Sequence, residues 1–284
     1  MKGIIWFLVL CFGLAWGWWE AALSTGVSVF DWRFQFYVIP GAFAPAIAAI
    51  VVRKWITREG FGDAGLRLNA RHWRVYLFAW LLPLLVVAII VAQAMILGIG
   101  QPDFSLERAI AHGVAGRDLR TADNPGLLIV PQVMAVALLS IPLLWGEEFG
   151  WRGYLQIRLS AGRPVAAAMA TGFIWAVWHF PLTLRGYNYP DAPVLGSLLF
   201  IPVTILIAYI LGWIRARSDS IWAASLGHAA TNAIGGLALL WLAGTAGPLT
   251  ISYAGVLALP PLLLVCIWLY LRSGREAPSS TTQA

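Results

Sequence analysis

The chain has 284 residues, of which 60% are hydrophobic and only 11% charged, with a formal net charge of +6, and its mean hydropathy is +0.76. These values exclude an ordinary soluble domain. They also argue against nucleic acid as the reason for the positive charge, because the basic residues are scattered among short connections rather than gathered in one patch. Cys11 and Cys266 lie in apolar stretches near opposite ends, giving neither a disulfide framework nor a Cys-x-x-Cys metal motif, and read as small buried hydrophobes.

Apolar stretches of about 18–25 residues, each able to cross about 30 Å of hydrocarbon as a helix, predict an all-α polytopic membrane protein of about eight spans. The first covers about Gly3 to Ala22, behind Lys2. Ala22-Leu23-Ser24 resembles a signal-peptide cleavage site, but the run is long and Trp16, Trp18 and Trp19 crowd its end. The reading is an uncleaved helix with an interfacial aromatic belt, which puts Glu20 at headgroup level. The second span, about Tyr37 to Val52, ends at Arg53-Lys54, and Gly60, Gly62 and Gly65 break the polar connection that follows. A third span, about Val75 to Leu97, leads into a polar loop from Gly98 to Pro125. The fourth starts near Gly126 with no obvious stop before Ser160, so it is a long helix or one broken near Gly146 or Gly150. The fifth, about Val165 to Phe180, is stopped by Pro181. The sixth is about Val194 to Ile214, the seventh about Ile221 to Leu242, and the eighth about Ile251 to Leu271, kinked at Pro260-Pro261. Residues 1–275 thus form one domain with a motif-bearing core at about 120–235, and the polar tail 276–284 reads as disordered.

Eight spans put both termini on one side. With Lys2 in the cytoplasm, most arginines fall there too, and only Arg33, Arg108, Arg117, Arg120 and Arg185 fall outside. That is the positive-inside pattern, and with it the chain reads as a bacterial inner-membrane protein.

Within the spans ionisable groups are few: Glu147, Glu148, Arg152, His179 and His228. A charge at a bilayer centre costs roughly 2.5–3.5 kcal/mol or more, so such groups turn inward to partners or a wet cavity and mark a functional site. At 1.5 Å per residue Glu147, His179 and His228 lie roughly 16, 22 and 10 Å from the cytoplasmic ends of their spans, so three helices can converge on one polar pocket. Glu148 and Arg152 are four apart and can pair, whereas Glu147 is turned about 100° from Glu148 and is free to face the pocket. His228 and Asn232 are also four apart, and Trp175 lies one turn before His179, where it would shield the site from lipid. Taken singly each has a bland reading: a brace for the ion pair, helix–helix hydrogen bonding for each histidine and for Asn232. Glu147, His179 and His228 would also make a zinc set with an open water position, but no His-Glu-x-x-His pair occurs and Asn is a poor zinc ligand. No metal or other cofactor is expected.

Glu147-Glu148-x-x-x-Arg152, Trp175-x-x-x-His179 and His228-x-x-x-Asn232 resemble, in order and spacing, the three signature motifs of the CPBP family, also called Abi or CAAX-protease-like intramembrane proteases. Trp175 stands where Phe is common, and Gly65-Leu66-Arg67 adds a weak further likeness. The resemblance implies an intramembrane endopeptidase with a cavity open to the cytoplasm. It makes Glu147 the general base, with His179 orienting the same water. His228 and Asn232 would stabilise the oxyanion, and Glu148 and Arg152 would hold the fourth helix. Members have been described both as metalloproteases and as metal-independent. The implied substrate is a peptide or lipidated protein at the membrane, with an unprenylated one favoured for a bacterial chain. Two other function classes stay open on the residues alone: a proton-coupled transporter or channel, since intramembrane Glu and His build proton relays, and a non-catalytic immunity or scaffold protein that binds a peptide in the same cavity.

Overall fold

The computed structural model describes residues 1–31, 33–105, 125–159, 162–244 and 246–275. The charged part of the predicted 98–125 loop and the predicted disordered tail lie outside them. Helix α1 covers Lys2–Leu23, followed by α2 (Phe34–Ala42) and α3 (Ala44–Val51), which runs into a π-helical turn at Val52–Ile56. Then come α4 (Trp73–Ile96), α5 (Pro125–Leu139) and α6 (Ile141–Gly150), which passes into a second π-helical turn at Trp151–Leu155. Helices α7 (Pro164–Trp178), α8 (Pro193–Ser218), α9 (Ile221–Ile234) and α10 (Leu259–Arg275) complete the bundle. The sheet content among the described residues is one short antiparallel pairing, Gln101–Pro102 with Leu242–Ala243.

The all-α membrane architecture stands, but the spans are less uniform than eight similar helices. Among the described residues, five stretches are long and apolar enough to cross a bilayer: Lys2–Leu23, Phe34–Ile56, Ala70–Ile96, Pro193–Ser218 and Pro248–Ser273. A sixth is the bent pair Leu127–Leu139 and Ile141–Arg158, whose halves meet at 52°. The predicted fifth and seventh spans are shorter helices. Helix α7 stops at His179 because Pro181 cannot continue it, and α9 stops at Gly235-Gly236 rather than running to Leu242.

The break in the fourth span is also displaced. It falls at Ser140, ahead of Pro142, and not at Gly146 or Gly150. Those two glycines do something else. A Cβ on Gly146 would sit 2.8 Å from the Phe43 ring, and one on Gly150 would sit 2.6 Å from the Pro45 carbonyl. The Gly146-x-x-x-Gly150 face therefore lets α3, with its small Ala44, Ala48 and Ala49, approach α6 backbone to backbone. With that face committed to α3, the carboxylates between the glycines point elsewhere.

Helix α9 is the centre of the bundle and packs against α4, α5, α6 and α8. Its Ala223, Ala224, Ser225, Gly227, Ala229 and Ala230 are small, so four neighbours can close around it and nearly the whole helix is buried. It starts cleanly because the Ser220 hydroxyl accepts from the Trp222 N–H at 3.2 Å. Helix α7 lies along α8, where Gly172 faces the Ile205 backbone and its carbonyl accepts from the Thr204 hydroxyl at 3.0 Å.

Candidate active site

Three helices bring the predicted groups to one place, and the side chain at its centre is Trp175. Its indole N–H donates to Glu147 Oε2 at 3.0 Å. Its ring packs edge-on against His228, with centroids 5.0 Å apart, and against His179 at 5.7 Å. The Arg152 guanidinium lies 4.6 Å from the same ring, a cation–π contact worth about 2 kcal/mol when shielded from water. Glu147 and Glu148 (α6), Arg152 (the π-helical turn), Trp175 and His179 (α7) and His228 (α9) are thus tied together through one side chain.

The carboxylates divide the work. Glu148 Oε1 accepts from Arg152 Nη1 at 3.1 Å and from His228 Nδ1 at 2.9 Å. Glu148 is wholly buried and Arg152 only 1% exposed, so this is a dry ionic triad. The i,i+4 pair expected from the sequence is present, and the histidine joined to it lies 80 positions away. Glu147, 6% exposed, keeps one oxygen clear of Trp175.

His179 owes its place to the end of α7. There the helix tightens: the His179 N–H bonds to the Ala176 carbonyl, three residues back, at 3.0 Å. The Trp175 carbonyl is left for the His179 ring, whose Nδ1 meets it at 2.9 Å. Helix α1 fixes the turn that follows. Trp16 Nε1 donates to the Trp178 carbonyl at 2.9 Å, and Arg185 spans the Pro181 carbonyl and both Glu20 oxygens at 2.8 Å each. Glu20 is half exposed in that pair, in keeping with a headgroup-level residue.

These bonds define the imidazole protons. A carbonyl and an ionised carboxylate only accept, so His179 and His228 both carry hydrogen on Nδ1. In neutral rings Nε2 is then an acceptor, and neither neutral ring can donate to an oxyanion. Asn232 lies one turn beyond His228 near the end of α9 and is exposed; its amide is a neutral donor, as is the Trp175 indole, which Glu147 already engages.

Among the described residues, no group of three or more His, Cys, Asp or Glu side chains is placed to hold a metal ion.

The helix carrying the acids is clamped from the polar side. The π-helical turn at Trp151–Leu155 disturbs the backbone ladder, and the freed Gly153 carbonyl accepts from Arg53 Nη2 at 2.8 Å. Arg53 is fully buried and also pairs with Asp63 at 2.8 Å. Nothing in the sequence singled out Arg53 from its neighbours; its mark is a charge placed at the last turn of an apolar helix with a glycine-rich connection able to fold back on it.

Residues 127–234 match the family model described as type II CAAX prenyl endopeptidase Rce1-like. Over this segment the chain is similar to the CAAX-protease-like family, as its motifs led one to expect. The matched family is one of proteases, hence hydrolases, and the apolar helices are those of an integral membrane protein. Every group gathered round Trp175, and Asn232 with them, falls inside the Rce1-like segment, whereas Arg53 and the α1 residues that brace the His179 turn lie outside it. No curated protein matches the chain.

Proposed function

We propose that the chain hydrolyses a peptide bond of a membrane-associated peptide or protein, using water activated by Glu147 and no metal. The observation that carries this reading is the convergence of Glu147, His179 and His228 on Trp175, with Glu147 in one hydrogen bond and Glu148 in two. Glu147 has an oxygen left to take a proton from water, while His179 Nε2 is an acceptor that orients the same water. The water oxygen attacks the scissile carbonyl carbon, and the proton held by Glu147 passes to the departing amine. Negative charge on the former carbonyl oxygen is met by the Asn232 amide, and by His228 in its protonated form, whose charge Glu148 offsets. In a water-poor site such donors are worth far more than in bulk solvent. We assign both termini to the cytoplasmic side from the distribution of arginines.

The test is cleavage in liposomes of paired peptides, lipidated and unlipidated, by wild type and by Glu147→Gln, His179→Ala and His228→Ala, with and without chelator. Each substitution is expected to abolish hydrolysis while the protein stays folded, and chelator to leave the rate unchanged. Full activity in Glu147→Gln would overturn the mechanism. One metal per chain, lost together with activity, would overturn the metal-free part.

A further inference from the structure

Arg152, but neither glutamate, also lines a cavity between α7, α8 and α10. It has a volume of about 790 Å³ and is walled by the polar end of the fourth span, the start of α7, the end of α8 and the end of α10. None of Glu147, His179, His228 or Asn232 lines it. Its walls are mainly apolar, with Tyr209 and Tyr270 among them, but three arginines line it: exposed Arg163, Arg152, which already pairs with Glu148, and Arg215, which already pairs with Asp219 at 3.1 Å. The volume suits one chain-sized ligand, within the roughly 300–1,000 Å³ usual for small-molecule sites.

The polar atoms here are under-used. Arg152 is 1% exposed, yet its Nε and Nη2 find no hydrogen-bond partner among the described residues, and neither do Gln156 Oε1 and Arg215 Nε. These three donors and one acceptor are themselves closed to solvent, so they leave the wall behind the cavity polar and unsatisfied without touching an occupant directly. The cavity also sits where the spans end in arginines, at the boundary between hydrocarbon and headgroups, where tyrosine belts are found.

We propose that this cavity binds an anionic phospholipid, its phosphate held by Arg163 and Arg215 with Arg152 behind them and one acyl chain in the apolar part. Basic pockets between spans at the polar boundary recognise lipid headgroups by this chemistry. A zwitterionic lipid would add a cation to a site where the exposed Arg163 guanidinium already supplies one. The occupant would lie against the same Arg152 that holds Glu148 and, through it, His228, so its charge is felt at the hydrolytic site.

Native mass spectrometry of the purified full chain in detergent tests this with phosphatidylglycerol, phosphatidylcholine and inorganic phosphate as separate additions. Wild type should retain phosphatidylglycerol over phosphatidylcholine by at least about fivefold, the factor one arginine near an anionic surface supplies. Arg163→Gln, at an exposed connection residue, should cut that preference by a similar factor. Ala216→Trp, which fills the cavity at an exposed wall position, should lower retention of the lipid while the protein remains monodisperse and helical. Equal retention of the two lipids by wild type would overturn the proposal, whatever the variants do. So would free phosphate that binds as well as the lipid, or a prenylated peptide that displaces phosphatidylglycerol competitively, which would make the cavity a substrate pocket.

Discussion

Glu148→Gln is the substitution that best separates scaffold from chemistry. It keeps the size of the side chain but removes the charge that faces Arg152 and His228 at 3.1 and 2.9 Å. Arg152, 1% exposed, would keep the Trp175 ring and the nearby charge of Glu147 as counterparts. Breaking a buried pair from one side costs about 3–5 kcal/mol, and the surviving cation–π contact, about 2 kcal/mol, favours the lower end. Against a usual total of about 5–15 kcal/mol, that is a large loss. Glu148→Gln combined with Arg152→Met removes the orphaned charge as well, so its stability should return to within about 1 kcal/mol of wild type. Activity should not return, because in both variants an amide oxygen replaces the carboxylate that offsets the charge of protonated His228. Unfolding of purified protein in graded detergent reads the first quantity and peptide cleavage in liposomes the second. A single variant as stable as wild type, or a double variant that regains cleavage, would refute the reasoning.

Arg53→Met should destabilise by about 2–3 kcal/mol, because the buried Gly153 carbonyl loses a charged donor; unfolding in detergent measures it, and a neutral result would remove the clamp. Gly150→Ala should cost about 1–3 kcal/mol or more, since its Cβ would meet the Pro45 backbone, whereas Gly13→Ala in α1, with open space around it, should be neutral or stabilising in the same measurement. At Asp63, burial pushes the carboxyl up, but the hydrogen bond and charge of Arg53 and the charge of Arg158 outweigh it and hold the group below its usual range. Depressed in the folded state, Asp63 contributes stability above the unfolded carboxylate value of about 3.9 and loses it as the pH falls through the folded one. Asp63→Asn should therefore flatten the acid side of a stability–pH profile and leave the neutral side parallel to wild type, an effect that added salt diminishes.

The membrane architecture was legible because hydrocarbon thickness sets a length that composition reveals directly. Helix ends were less so. Gly146 and Gly150 read as break points from propensity alone, yet they are contact points, because close approach of Pro45 and Phe43 is a tertiary fact. The Glu148–Arg152 pair was readable, being set by helical periodicity. The His228–Glu148 bond was not, since it joins residues 80 apart and follows from how α9 seats against α6. Trp175 was read as a shield against lipid. Its indole N–H, ring edge, ring face and backbone carbonyl each hold a different site group, and no spacing rule announces that.

The incomplete satisfaction of this cluster is itself informative. A structural brace gains from full pairing, and a buried ion pair can often be replaced by packed apolar side chains at no loss. Here Glu148 Oε1 takes both donors while Oε2 finds no partner among the described residues, and two nitrogens of Arg152 are in the same position. Partly satisfied buried networks are the costlier kind. The arrangement makes sense when the property it secures is the direction and protonation of His228. Drawing both donors to one oxygen fixes the ring and its Nδ1 proton, whereas symmetrical pairing would spread the guanidinium across both oxygens and leave the imidazole to compete for either. Glu147, one position earlier, escapes that demand: Trp175 gives it a single neutral donor and leaves its charge uncancelled. Two adjacent carboxylates thereby hold different environments, one committed to an arginine and a histidine and the other held by a single indole N–H, and the proposed hydrolysis uses that asymmetry.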